Sequence, residues 1–127
     1  MPNFKFDHGN LSVLDLNRSL KFYENALGLT EFVRLDTPNY IFVYLGDPYK
    51  SDYVLELQWS KTRTEPYKLG EKKYHLAFIT DDIKASRELH QKMNCISDKP
   101  SIAGIYWIED PDGFLIEILP QDLNMGR

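Results

Sequence analysis

Apolar positions recur along this chain with helical spacing in two places and with strand alternation in several others. Behind Asp15, a residue type that caps helix N-termini, Leu16, Leu20, Tyr23 and Leu27 fall on one helical face. The spacing predicts a helix that ends at Gly28, which can adopt the left-handed cap conformation. A second helix is expected behind Asp81 or Asp82, with Ile83, Leu89 and Met93 on its apolar face. Three strands are expected after the first helix, over Leu29 to Leu35, Tyr40 to Leu45 and Tyr53 to Trp59. Three more follow the second, over Cys95 to Asp98, Gly104 to Glu109 and Phe114 to Leu119. Further strands before each helix, around Phe6 to Val13 and Lys73 to Thr80, complete the set. Gly46-Asp47-Pro48 and Asp110-Pro111-Asp112-Gly113 are turn sequences between strands.

These elements come in the same order twice. An offset of 67 carries His8 onto His75, Asp15-Leu16 onto Asp82-Ile83, Ser19 onto Ser86 and Phe22 onto Leu89. A shorter offset of 61 then carries Val54-Leu55-Glu56-Leu57 onto Leu115-Ile116-Glu117-Ile118. The expected architecture is α+β, with two tandem βαβββ modules at about 4–60 and 72–120 joined by a segment at about 60–72. The 127 residues suit a single domain built from these two modules, forming a curved mixed sheet around one cleft.

Composition narrows the functional classes. With 43% apolar and 27% charged residues, the chain can bury a core and is not disordered. Cys95 is the one cysteine, which excludes an internal disulfide and suits a reducing, cytoplasmic setting. The net charge of −4 argues against binding to nucleic acid or an anionic membrane surface. Tyr40 to Leu45 is the longest apolar run, far below the roughly 18 residues of a membrane helix. The first residues lack the apolar centre of a secretory signal.

Strand alternation then isolates a chemical constellation. Glu56 shares a strand face with Val54 and Gln58, opposite the face of Tyr53, Leu55, Leu57 and Trp59. Glu117 is flanked by Ile116 and Ile118, where a carboxylate is costly unless paired, protonated or bound to metal. His75 occupies a similar apolar strand, and His8 opens its counterpart. Two His and two Glu at corresponding places make a candidate pseudo-twofold His2Glu2 site for Ni²⁺, Co²⁺, Mn²⁺, Fe²⁺ or Zn²⁺. Each residue alone reads as an ordinary surface or hydrogen-bonded group. His90, on the second helix without a glutamate counterpart, is expected to be a surface or packing residue.

Asp15 to Tyr23 with Leu27-Gly28-Leu29, Asp52 to Leu57, Tyr67 to Gly70, His75 to Phe78 and Glu109 to Glu117 carry a family pattern. Through them the chain resembles the glyoxalase I (lactoylglutathione lyase) family of the vicinal oxygen chelate superfamily over nearly its whole length. The Asp-Pro-Asp-Gly turn and following Glu strand are shared across much of that superfamily, whereas the full set His8, Glu56, His75 and Glu117 is more specific. The resemblance implies a divalent metal ion per site, nickel or cobalt in preference to zinc. It also implies isomerisation of the hemithioacetal of methylglyoxal and a thiol to an S-lactoyl thioester, a detoxification. Glu117 is the first choice for the base, and Glu56 is its pseudo-symmetric partner. The family further implies a homodimer whose sites combine His8 and Glu56 of one chain with His75 and Glu117 of the other.

The chain departs from the glutathione-using pattern at three places. Ser12, Ser60 and Ala103 stand where an Arg, an Asn and a basic residue are expected to meet glutathione. A serine hydroxyl cannot reproduce the paired hydrogen bonds of a guanidinium to a carboxylate. Lys61, Arg63, Lys72 and Lys99 are the nearby cations that would have to compensate, each otherwise a solvated surface charge. Another low-molecular-weight thiol, or an unrelated substrate, is therefore open beside glutathione. The alternatives are an epimerase or dioxygenase of the same superfamily, or a noncatalytic binder of small molecules. A binder would draw on the chain's 17 aromatic residues, including Tyr44, Trp59, Tyr106 and Trp107.

Overall fold

In a computed structural model, which describes residues 1–123, the chain folds as two compact units, Met1–Tyr67 and a second beginning at Lys68. The first contains β1 (His8–Val13), α1 (Leu16–Leu27), β2 (Thr30–Asp36), β3 (Tyr40–Gly46) and β4 (Val54–Ser60). The second contains β5 (His75–Thr80), α2 (Ile83–Lys92), β6 (Tyr106–Glu109) and β7 (Leu115–Pro120). Each unit has one mixed sheet and one helix, so the class is α+β. Among the described residues, no helix is long and apolar enough to cross a membrane.

Both helices begin and pack as repeats of one another. The side chains of Asp15 and Asp82 accept the backbone N–H of Arg18 and Ala85, satisfying donors that a helix start leaves unpaired. Gly28 ends α1 in the left-handed conformation at φ 69°. The face that α1 buries is Leu16, Ser19, Tyr23 and Ala26; Leu20 and Leu27, assigned to it from spacing, are only half-buried. In α2, Ile83, Ser86 and Met93 are half-buried and His90 is buried, whereas Leu89 is exposed. These four positions repeat Leu16, Ser19, Tyr23 and Ala26 at the offset of 67, so His90 occupies the core position of Tyr23. It is a packing residue, not a surface one. Its Nδ1 lies 2.6 Å from the Tyr106 hydroxyl, which also bonds the Ser86 hydroxyl and so ties α2 to β6.

The sheets share their central pairing. In the first, the strand order is β1-β4-β3-β2, with β1 parallel to β4 and the other neighbours antiparallel. In the second it is β5-β7-β6, again with a parallel first pair. His8 pairs with Val54 and Asn10 with Glu56; His75 pairs with Leu115 and Ala77 with Glu117. The offsets of 67 and 61 are thus a conserved register between the two sheets.

The repeat is incomplete in one place. The strand expected at Cys95 to Asp98 is reduced to an isolated bridge between Ile96 and Ile108. Two backbone bonds remain, from Ser97 N–H to Trp107 C=O and from Glu109 N–H to Cys95 C=O. Pro100, with no N–H to give a ladder, prevents further pairing at its own position. In the first unit β2 pairs along most of β3, although Pro38 follows it at the same spacing.

Candidate metal centre

Each sheet brings one histidine and one glutamate together by the same device. In a parallel pair, side chains at matched positions share a face, and alternate residues on one strand point the same way. β1 therefore sets His8 one alternation from the residue that pairs with Glu56, and β5 does the same for His75 and Glu117. His8 Nε2 lies 3.6 Å from Glu56 Oε1, and His75 Nε2 lies 3.6 Å from Glu117 Oε1. Such a separation is too long for a good hydrogen bond. Two atoms so spaced can both lie about 2.1 Å from one ion, and neutral imidazole with carboxylate is a donor set for a borderline divalent cation. The residues present therefore fit a metal ion as two pairs. Among the described residues, no group of three or more His, Cys, Asp and Glu gathers into one cluster.

The two pairs differ in their support. Glu56 is held on both oxygens: Asn10 Nδ2 donates to Oε1 at 2.7 Å, and the Tyr44 hydroxyl donates to Oε2. Asn10 also bonds Gln58 at 3.1 Å, which fixes its amide. The neighbouring carboxylate holds the Tyr44 phenol above its ordinary pKa, with burial adding to the effect, so this donor keeps its proton. Asp7 Oδ2 accepts from His8 Nδ1 at 2.6 Å, the tautomer that leaves Nε2 free to face Glu56. The His8 ring meets Tyr44 edge to face.

Glu117 has apolar company instead. The partner of its residue on β5 is Ala77, and on β6 it is Trp107. Trp107 meets the His75 ring edge to face at 4.7 Å. Among the described residues, Glu117 has no hydrogen-bond donor on its carboxylate, and its side chain is 21% exposed against 10% for Glu56. Asn10 and Asp7 were not singled out from sequence, and Tyr44 was counted only as pocket material. The signal for Asn10 was available, since it follows His8 by two residues and so shares its strand face.

The turn before β7 is structural. Asp110 is buried, and its Oδ1 accepts the N–H groups of Asp112 and Phe114, both at 2.9 Å. Gly113 sits at φ 93°, where a side chain would be strained. This turn starts the strand that carries Glu117.

The cations near the missing glutathione contacts are mostly engaged. Lys61 pairs with Asp36 at 2.6 Å, and Lys72 with Glu109 at 3.4 Å. Arg63 bonds the carbonyls of Glu65 and Pro66 and lies over the Tyr67 ring. Ser60 Oγ accepts the N–H groups of Thr62 and Arg63, so it is used in the turn. Lys99 differs: its Nζ lies 4.7 Å above the Trp107 ring, on the strand position opposite Glu117.

A mixed sheet with a parallel first pair, a capped helix and a His–Glu pair, all formed twice, define a class that the comparisons make explicit. The family profile described as Glyoxalase/Bleomycin resistance protein/Dioxygenase superfamily matches residues 5–118, and the chain belongs to that superfamily. Among its relatives is a lactoylglutathione lyase of Neisseria meningitidis, 36% identical over 88% of this chain and 87% of the relative. The uncharacterized protein YwbC of Bacillus subtilis is 31% identical over 89% of this chain and 94% of its own length. Among solved structures, the trypanothione-dependent glyoxalase I of Leishmania major superposes with a TM-score of 0.83 at 34% identity. That match covers 93% of this chain and 87% of the Leishmania chain. Within the superfamily the chain is glyoxalase I-like.

Proposed function

We propose that this protein is a metal-dependent lyase of the glyoxalase I type, acting on the hemithioacetal of methylglyoxal and a low-molecular-weight thiol. The observation that carries this reading is the His–Glu pair repeated at one register and one spacing in both units. His8, Glu56, His75 and Glu117 are the residues that would hold one divalent cation per site, with Ni²⁺ or Co²⁺ preferred and Zn²⁺ an alternative. When bound, the cation supplies Lewis-acid polarisation of the substrate's adjacent oxygens.

Glu117 is the base. It takes the proton from the carbon bonded to sulfur and returns it to the neighbouring carbon, while the hemithioacetal O–H proton passes to the former ketone oxygen, so that the ketone becomes a hydroxyl and the hemithioacetal carbon becomes the thioester carbonyl. Its freedom from hydrogen-bond donors among the described residues supports this role over Glu56, whose oxygens are both engaged. A homodimer that joins the His8–Glu56 pair of one chain to the His75–Glu117 pair of its partner completes the four donors. A cytoplasmic enzyme without nucleic-acid or membrane partners fits the acidic, single-cysteine chain.

The cations bear on which thiol is used. Ser12, Ser60 and Ala103 offer no guanidinium or ammonium to a glutathione carboxylate. Lys99, over the Trp107 ring, is the cation we assign to an anionic group on the thiol. The trypanothione dependence of the Leishmania relative supports testing thiols other than glutathione. The experiment is isomerisation of methylglyoxal hemithioacetals made from glutathione, trypanothione and other small thiols, before and after metal removal. Turnover that disappears on chelation and returns with Ni²⁺ or Co²⁺ supports the reading. No turnover with any thiol or metal sinks it, and leaves a binding protein as the alternative.

A further inference from the structure

The two His–Glu pairs match in register and spacing, yet among the described residues only the first has polar support built around its carboxylate. We infer that Asn10 and Tyr44 are positioning residues that hold Glu56 in one orientation as a fixed metal ligand. Glu117, which has no such donors among the described residues, is the carboxylate left to act as the base. The inference rests on the proposed metal-dependent reaction and goes beyond it, by assigning to two further side chains the asymmetry between otherwise equivalent halves.

Three observations support it. First, the bonds are made from two different strands that flank β4. Asn10 lies opposite Glu56 on β1, and Tyr44 lies opposite it on β3, so the carboxylate is gripped from both sides of its strand. Rotation of the Glu56 side chain would break both bonds. Second, both donors are themselves fixed, Asn10 by Gln58 and Tyr44 by its edge-to-face contact with His8. Third, the equivalent positions of the second unit hold residues that leave the carboxylate ungripped. Ala77 has no polar side-chain atom, and the Trp107 ring packs on His75. Donors that orient a ligating carboxylate are worth roughly 10–100-fold in metal affinity.

The test measures Co²⁺ affinity by competition titration, together with the visible absorption of the Co²⁺-loaded protein, in the full chain. Tyr44→Phe keeps the ring against His8, and Asn10→Ala removes the amide donor; thermal melting verifies that each variant folds. Each is expected to weaken Co²⁺ binding by roughly 10–100-fold and to shift the absorption, which reports ligand geometry. In a Glu56→Gln background, Tyr44→Phe should have little further effect, because the two residues act through one carboxylate. Asn10→Gln, which keeps a donor amide, should recover part of the loss. Tight Co²⁺ binding in the parent with unchanged affinity and spectrum in both folded variants overturns the inference while leaving the metal reading intact. A parent protein that binds no Co²⁺, Ni²⁺ or Zn²⁺ overturns both.

Discussion

The two units place a histidine and a glutamate at the same register and the same 3.6 Å separation, but surround them differently. Around Glu56 there are an amide, a phenol and a histidine that is itself held by Asp7. Around Glu117 there are an alanine, an indole and more solvent. Duplication preserves what the backbone dictates, namely which residues face each other across a parallel pair. It does not preserve the side chains on the flanking strands, and these decide whether a carboxylate is held still or left to move. Equivalent positions of the two units thus hold one carboxylate bonded on both oxygens and one without such donors among the described residues.

Breaking each pair in turn sharpens that comparison. Glu117→Gln removes the proposed base and should lower kcat for hemithioacetal isomerisation by about 10²–10⁴-fold, measured with saturating metal. Glu56→Gln should act first on Co²⁺ affinity, and its loss of kcat at saturating metal should be the smaller of the two. Equal losses of kcat from both substitutions would contradict the division of roles. The larger of the two metal-affinity losses should likewise fall on the first pair, because Glu56→Gln replaces the charged end of a fully engaged ligand.

The fold was legible in sequence because its repeat is carried by side-chain periodicity, which survives in each unit. The strands bearing His8, Glu56, His75 and Glu117 follow from alternation and from the two offsets. Less of the surrounding site was legible. Alternation puts Asn10 on the face of His8, but that it and Tyr44 meet Glu56 depends on register between strands distant in sequence, which no local pattern encodes. His90 reads from sequence as a surface or packing residue; that it is the packing one follows from its equivalence to Tyr23 at the offset of 67. The strand expected at Cys95 to Asp98 has apolar residues in place, but its pairing is reduced to the Ile96–Ile108 bridge and two backbone bonds, and the sequence carries no signal of that loss.

Two smaller effects bear on the frames that hold the pairs. Tyr106→Phe removes the hydroxyl shared by Ser86 and His90 in the second unit. It should destabilise the fold by about 1–3 kcal/mol in chemical denaturation, since it leaves the buried His90 Nδ1 without this partner. Turnover of the folded variant should be unchanged. In the first unit, burial tends to raise the Asp47 pKa, but bonds from the Ser51 hydroxyl and the N–H groups of Ser51, Tyr49 and Lys50 bring it below the ordinary value. A carboxyl depressed on folding stabilises the protein above its unfolded pKa of about 4, and that contribution fades as pH falls toward the folded value. Asp47→Asn should therefore cost stability at neutral pH, and the gap from the parent should close in acid. A gap that widened in acid would reverse the sign.

The most direct test of the account is the isomerisation rate of methylglyoxal hemithioacetals in metal-stripped and Ni²⁺- or Co²⁺-restored protein, compared between the parent and Glu117→Gln. The account predicts no turnover when stripped, recovery with metal in the parent, and a loss in Glu117→Gln that added metal does not repair. Turnover that survives complete removal of metal, or full activity in metal-loaded Glu117→Gln, would contradict it.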